Sequence, residues 1–182
     1  MRINIIHLPQ RRDRFELLTE QLSQHLITDY TIWPGIISKT PATGISRAHK
    51  QIVQWAKTSN LDSVLIAEDD FKFTSKSSFS YFINHIPPDF DLYLASVYQG
   101  NILENQIVER FSGLTFYVVN SRFYDTFLTT PEFEHLDLAL SGNGKYVVCS
   151  PFTVIQHNGF SDNNLRDCNY DFYLEGKNLL LD

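Results

Sequence analysis

Ser63-Val64-Leu65-Ile66-Ala67-Glu68-Asp69-Asp70 is a short apolar run that ends in three consecutive carboxylates. Val64, Leu65 and Ile66 are continuously apolar, as in a strand covered on both faces; a half-exposed strand would alternate. An open α/β sheet binds its ligands beyond the carboxyl ends of its strands, which is where Glu68, Asp69 and Asp70 fall. Three adjacent like charges repel one another unless solvent or a cation relieves them. Hard oxygen donors of this kind suit Mg²⁺ or Mn²⁺, ions that bridge a protein carboxylate to a diphosphate. An acidic turn facing water is the competing reading of the triplet alone.

Upstream of this run, Ile3 to Leu8 reads as a first strand ended by Pro9, and Arg12 to His25 as a helix with Phe15, Leu18 and Leu22 on one stripe. Tyr30 to Trp33 is a second strand closed by Pro34-Gly35. A helix opens at Thr43-Gly44 and continues to about Thr58, with Ile45, Ala48, Ile52, Trp55 and Ala56 near helical spacing. Downstream, a helix is expected over Ser77 to His85, strands over Phe90 to Ser96 and Gly113 to Val119, and a helix capped by Ser121 that runs through Leu128. A short acidic helix over Glu132 to Leu140 and strands over Tyr146 to Cys149 and Phe152 to Ile155 complete the pattern. The tail after Asn158 is polar and aperiodic, and reads as a loop that orders on ligand. Alternation of strand and helix predicts an α/β sheet, and the absence of repeats or linkers predicts a single domain over residues 1–182.

Composition narrows the function. With 43% hydrophobic and 14% aromatic residues, the 182-residue chain is long and apolar enough to fold around a core. Core packing accounts for most of the aromatic share, with some rings available to stack on a sugar or base. A net charge of −6 argues against nucleic acid as a partner. The densest positive cluster, Arg11, Arg12 and Arg14, is local enough for one diphosphate. No apolar run is long enough to span a bilayer, and Met1 to His7 does not resemble a signal peptide. Cys149 and Cys168 lack metal-ligand spacing and suit a reducing compartment. A cytoplasmic protein is expected, with peripheral contact at the inner face of a membrane compatible with it.

Several side chains outside the triplet can carry chemistry. Arg11 and Arg14, just past a strand end, suit an anion through their guanidinium forks, against the plainer role of a solvated first helical turn. His49 lies one turn after Ile45, where a satisfied core or surface histidine is the ordinary finding. His157 follows the last clear strand and could complete an oxygen-rich metal site begun by Asp69 or Asp70. Asp137 could act as a general base; its structural alternative is an acid that favours a helix N-terminus.

Taken together, Ile6-x-Leu8-Pro9-x-Arg11-x-Asp13-Arg14, Gly44-x-x-x-x-His49, Val64-Leu65-Ile66-x-Glu68-Asp69-Asp70, Asp89-x-Asp91-Leu92 and Leu136-Asp137-Leu138-Ala139 resemble glycosyltransferase family 25. That family comprises enzymes of lipooligosaccharide biosynthesis and the related collagen galactosyltransferases. The chain departs from the family pattern at His7 (usually Asn), Ile45 (usually Cys) and Ala48 (usually Ser). The resemblance implies a GT-A fold, a single Rossmann-like α/β domain with a mixed central sheet. It also implies an inverting, metal-dependent transfer of a sugar, galactose being the one expected, from a UDP-sugar donor to a saccharide or glycolipid acceptor. On this basis Asp70, with Asp69, is assigned to Mn²⁺ or Mg²⁺, His157 is the third ligand, and Asp137 is the base. Arg11, Arg14 and His49 fall to the donor site, and Glu68 or Asp69 can instead contact the ribose or sugar. A non-catalytic nucleotide- or sugar-binding module with a degenerate fold is the alternative, and a carboxylate-metal phosphatase is weaker because the first strand leads to His7 and Pro9.

Overall fold

The computed structural model describes residues 1–182. Its first third is a parallel unit of β1 (Ile3–His7), α1 (Arg12–Gln24), β2 (Tyr30–Pro34), α2 (Pro41–Thr58) and β3 (Ser63–Glu68), with β1 between the other two strands. The connecting helices lie on opposite faces. Leu18 and Leu22 of α1 pack with Ile3, Ile5, Leu65 and Ala67, whereas Ile52, Val53 and Ala56 of α2 pack with Val64 and Ile66. The chain therefore leaves β1 on one face and returns beside it on the other, which opens a crevice at the strand's carboxyl end.

The remainder comprises β4 (Phe71–Phe73), α3 (Ser78–Asn84), β5 (Leu92–Leu94), β6 (Gln99–Ile102), β7 (Ile107–Ser112), β8 (Phe116–Asn120), α4 (Tyr124–Thr129), α5 (Leu136–Leu140), β9 (Tyr146–Val148), β10 (Val154–Gln156), β11 (Gly159–Ser161) and β12 (Arg166–Cys168). Eight strands form one mixed sheet in the order β2-β1-β3-β8-β5-β9-β7-β6. β8 lies antiparallel between β3 and β5, and two small ribbons, β4 with β10 and β11 with β12, stand apart from the sheet. The pleat sends Tyr117 and Val119 of β8 to the α2 face and Phe116 and Val118 to the α1 face, so both faces are buried cores. Full burial of a side chain such as Leu65 contributes about 1.5–3 kcal/mol, which is why the central strands read as unbroken apolar runs.

α2 starts two residues earlier than its apolar spacing suggests. Thr40 caps it by accepting from the Thr43 N–H, and Pro41 suits the first helical position. Gly44 is required because a Cβ there would come within 2.2 Å of the Ile36 carbonyl oxygen. Other expectations are corrected. Asn120, rather than Ser121, accepts from the Arg122 N–H, and a short 3₁₀ turn over Ser121–Phe123 precedes α4. The helix expected from Glu132 begins only at Leu136, because Glu132 is drawn to Arg47 and Lys50 on α2. Phe15 is exposed, covering the His7 ring at 5.1 Å rather than entering the core. The polar tail folds back as the β11–β12 hairpin followed by a 3₁₀ turn over Asp171–Leu174.

Candidate active site

β1 and β3 end side by side, with Ile6 opposite Glu68, so their register delivers His7 and the acidic triplet to one edge. A cleft of about 610 Å³ opens there, and Arg14, His49, Glu68, Asp69, Asp70 and Asp137 all line it.

Asp69 and Asp70 are 4% and 3% exposed, which taken alone would be costly for two adjacent anions. Arg14 relieves both: its Nη1 donates to Asp69 Oδ1 at 3.0 Å and lies 2.9 Å from Asp70 Oδ2. Burial works against the guanidinium charge, yet Asp70 and Asp69 hold it more firmly protonated than an ordinary arginine. His7 Nδ1 donates to Asp69 Oδ2 at 2.7 Å, and Gln156 Nε2 to Asp70 Oδ2 at 2.6 Å. Asp69 is thereby engaged through both oxygens. Asp70 keeps Oδ1 buried without any partner. Burial pushes the Asp70 carboxyl up to about 7; Arg14 opposes that rise, and Glu68 and Asp69 reinforce it.

Glu68 is held differently. His49, 1% exposed, places Nε2 3.3 Å from Glu68 Oε1 and Nδ1 2.7 Å from the Tyr117 hydroxyl. An ionised carboxylate only accepts, so Nε2 carries the proton, and in the neutral ring Nδ1 accepts from Tyr117. Burial keeps the Tyr117 phenol protonated, as this arrangement needs. Asp137 also lines the cleft, where its Oδ2 accepts from the Gly113 N–H and its Oδ1 from the Leu138 N–H, both at 2.9 Å. Those two bonds fix the carboxylate while leaving lone pairs on each oxygen for a hydroxyl.

Two expected site residues lie elsewhere. Arg11 does not line the cleft; its guanidinium is paired with Asp13 and Asp162. His157 does not reach it either. Its main-chain N–H donates to the Asp70 carbonyl at 2.8 Å, but its ring is half-buried outside the cleft. Burial and then Lys72 lower the basicity of that ring. The main-chain bond explains the error: His157 is next to the acids in the backbone ladder, and the pleat turns Gln156, not His157, toward them. No three His, Cys, Asp or Glu side chains gather into a ready metal cage. Sequence reasoning also missed Gln156, His7 and Tyr117, whose roles depend on partners more than sixty residues away.

Solved structures share this architecture. A glycosyltransferase involved in the glycosylation of the major capsid of PBCV-1 is similar with a TM-score of 0.50 and 14% identity, over 96% of this chain and 98% of that one. A Drosophila β1,4-galactosyltransferase 7 mutant, in complex with manganese, UDP-Gal and xylobiose, is similar with a TM-score of 0.52 and 8% identity, over 86% and 71% of the two chains. HddC from Yersinia pseudotuberculosis is similar with a TM-score of 0.51 and 11% identity, over 85% and 72%. The fold is that of the GT-A glycosyltransferases. No protein-family model and no curated protein matches the chain, so the likeness to family 25 rests on the motifs quoted above. No helix is long and apolar enough to cross a membrane.

Proposed function

We propose that this chain is a family 25-like glycosyltransferase that moves a hexose, galactose being the sugar expected, from a UDP-sugar to a saccharide or glycolipid acceptor such as lipooligosaccharide. The observation that carries the reading is Asp70, a buried carboxylate at the end of β3 with one oxygen free of any partner. Retaining an ionisable group at such a cost is characteristic of functional sites. A Mn²⁺ or Mg²⁺ ion fits the residues present, because these cations are often held by one or two carboxylates plus substrate phosphates, without an all-protein cage. When bound, the cation neutralises charge on the departing diphosphate. Asp70 would hold it through Oδ1, with Asp69 behind, already committed to His7 and Arg14.

The other roles follow from position. Glu68, aligned by His49, would accept from a hydroxyl of the donor's ribose or sugar. Arg14 offsets the repulsion between the two carboxylates and lines the cleft, where it would add a cation for the donor's diphosphate. Asp137 would take the acceptor proton as the acceptor oxygen bonds to the anomeric carbon and the carbon–oxygen bond to the diphosphate breaks, inverting the centre. A glycolipid acceptor would put this work at the inner membrane face. Incubation with UDP-galactose and UDP-glucose, with Mn²⁺ or with EDTA, tests the reading by UDP release and product mass. Metal-dependent release that rises with added saccharide supports transfer. Metal-dependent binding without release makes the chain a binding module, and release unaffected by EDTA removes the metal.

A further inference from the structure

Beyond the acidic triplet the cleft runs onto a wall of tyrosines that the chemistry above does not use. The Tyr98 ring lies 5.2 Å from Tyr170 and 6.2 Å from Tyr173, and all three line the cleft. Gly113 makes room for this wall, since a Cβ there would stand 2.7 Å from Tyr98 Cδ2, and its φ of +108° also favours glycine. The same Gly113 donates its N–H to Asp137, so the wall and the proposed base flank one residue. Tyr98 is 7% exposed, and its hydroxyl lacks a full hydrogen bond, the Gln156 main chain approaching it only loosely. Burial and then the Asp70 charge keep that phenol protonated, hence able to donate. A buried hydroxyl without a full hydrogen bond is expensive, which marks it as waiting for a group that the free protein lacks.

The two ends of the cleft suit different ligands. Leu8, Ile36 and Ile45 make an apolar corner near β1, the switch point where a nucleotide is expected. The tyrosine end instead sets flat rings beside polar Asn163, Asp167 and Asn169. That combination matches a pyranose, which offers a C–H face for stacking and a rim of hydroxyls for hydrogen bonds. Six carboxylates line the same cleft, Glu68, Asp69, Asp70, Asp137, Asp162 and Asp167, against two cations, Arg14 and Arg166, and this excess disfavours an anionic ring.

We propose that Tyr98, Tyr170 and Tyr173 form the acceptor subsite, holding the pyranose ring of a neutral sugar with the Tyr98 hydroxyl donating to one of its oxygens beside Asp137. The assignment rests on the glycosyltransferase reading, and the test separates the two. Saturation-transfer NMR would follow methyl β-galactoside, methyl β-glucoside, methyl β-xyloside and methyl β-glucuronide with the protein loaded with UDP and Mn²⁺, while calorimetry follows UDP–Mn²⁺ itself. At least one neutral glycoside should receive saturation, more strongly than the glucuronide, and lose it in Tyr170→Ala and in the exposed-site variant Tyr173→Ala. Tyr98→Phe keeps the ring and should weaken that glycoside about fivefold, the scale of one neutral hydrogen bond, with UDP–Mn²⁺ affinity unchanged. The subsite is overturned if no neutral glycoside is saturated, if saturation survives all three substitutions, or if UDP–Mn²⁺ binding falls in step with it. Glycoside binding at the wall in a protein that does not bind UDP–Mn²⁺ would keep the sugar site and remove the donor reading instead.

Discussion

Asp70→Asn should make the metal-free protein more stable while removing its proposed function. The wild-type carboxyl is pushed up to about 7 from an ordinary 3.8, principally by burial. The folded state thus holds this proton more tightly than the unfolded chain does, so the stability it contributes is complete below about pH 4 and is lost as pH rises through about 7. At about 1.4 kcal/mol for each tenfold change in protonation, the ionised carboxylate costs the fold on the order of 4 kcal/mol at pH 8. An amide in the same volume removes the charge and can still accept from Gln156, while Arg14 retains Asp69. Its NH₂ takes the place of the partnerless Oδ1 and returns about 1–3 kcal/mol, so the net gain is on the order of 2 kcal/mol, a rise in Tm of about 5 °C for a chain of this length. The assay is thermal unfolding in EDTA across pH 4–8: the gap between variant and wild type should open toward high pH and close toward low pH. A variant less stable than wild type at pH 8 would show Asp70 to be a structural partner of Arg14 and would refute the reasoning.

Asp137→Asn should lower turnover by about a hundredfold or more, the scale of losing a general base, with UDP affinity unchanged in calorimetry. Because one of its two backbone N–H partners would then face an amide NH₂, a stability loss of about 1 kcal/mol in urea unfolding should accompany it. Tyr117→Phe leaves His49 Nδ1 buried without its donor and should cost about 1–3 kcal/mol in the same unfolding assay. Nitrogen-15 shifts should place the His49 proton on Nε2 in the wild-type protein and in Tyr117→Phe alike, because Glu68 still accepts from that nitrogen in the variant. Gly44→Ala drives a methyl into the Ile36 carbonyl and should cost about 1–3 kcal/mol, with a measurable loss of UDP affinity because α2 and the Ile36 loop share the cleft wall.

The sequence made the parallel half of the sheet legible because its strands are buried on both faces and its helices carry clear apolar stripes. β1, β2, β3 and α2 all lie within two residues of their expected bounds. The hairpin of β6 and β7 stayed hidden, since Gln99–Ile102 is almost wholly exposed at the sheet edge and offers no apolar pattern. Phe71–Phe73 is too short for a periodicity to register, although Phe71 and Phe73 are buried and pack against Phe116. Polar Gly159–Ser161 and Arg166–Cys168 pair with each other, which composition alone reads as loop.

The site divides in the same way. An apolar strand running into Glu68, Asp69 and Asp70 is a local signal, and the triplet does line the cleft. Which oxygen of Asp70 stays free depends on Arg14 and on Gln156, 86 residues away, and no local pattern carries that information. His157 stands out in the sequence because histidine is a familiar metal ligand, whereas the strand pleat turns its neighbour Gln156 toward the acids. Tyr98 and Tyr117 read alike as core aromatics, yet the Tyr117 hydroxyl is satisfied by His49 and that of Tyr98 lacks a full hydrogen bond.

Calorimetric titration of UDP into the protein with Mn²⁺, with Mg²⁺ and with EDTA, repeated for Asp70→Asn, tests the proposed nucleotide–metal site most directly. Binding should appear with either cation, vanish in EDTA and vanish in the variant. UDP affinity that is equal with and without the cation, or that survives in Asp70→Asn, would contradict the assignment of the β3 acids to a metal-bound diphosphate.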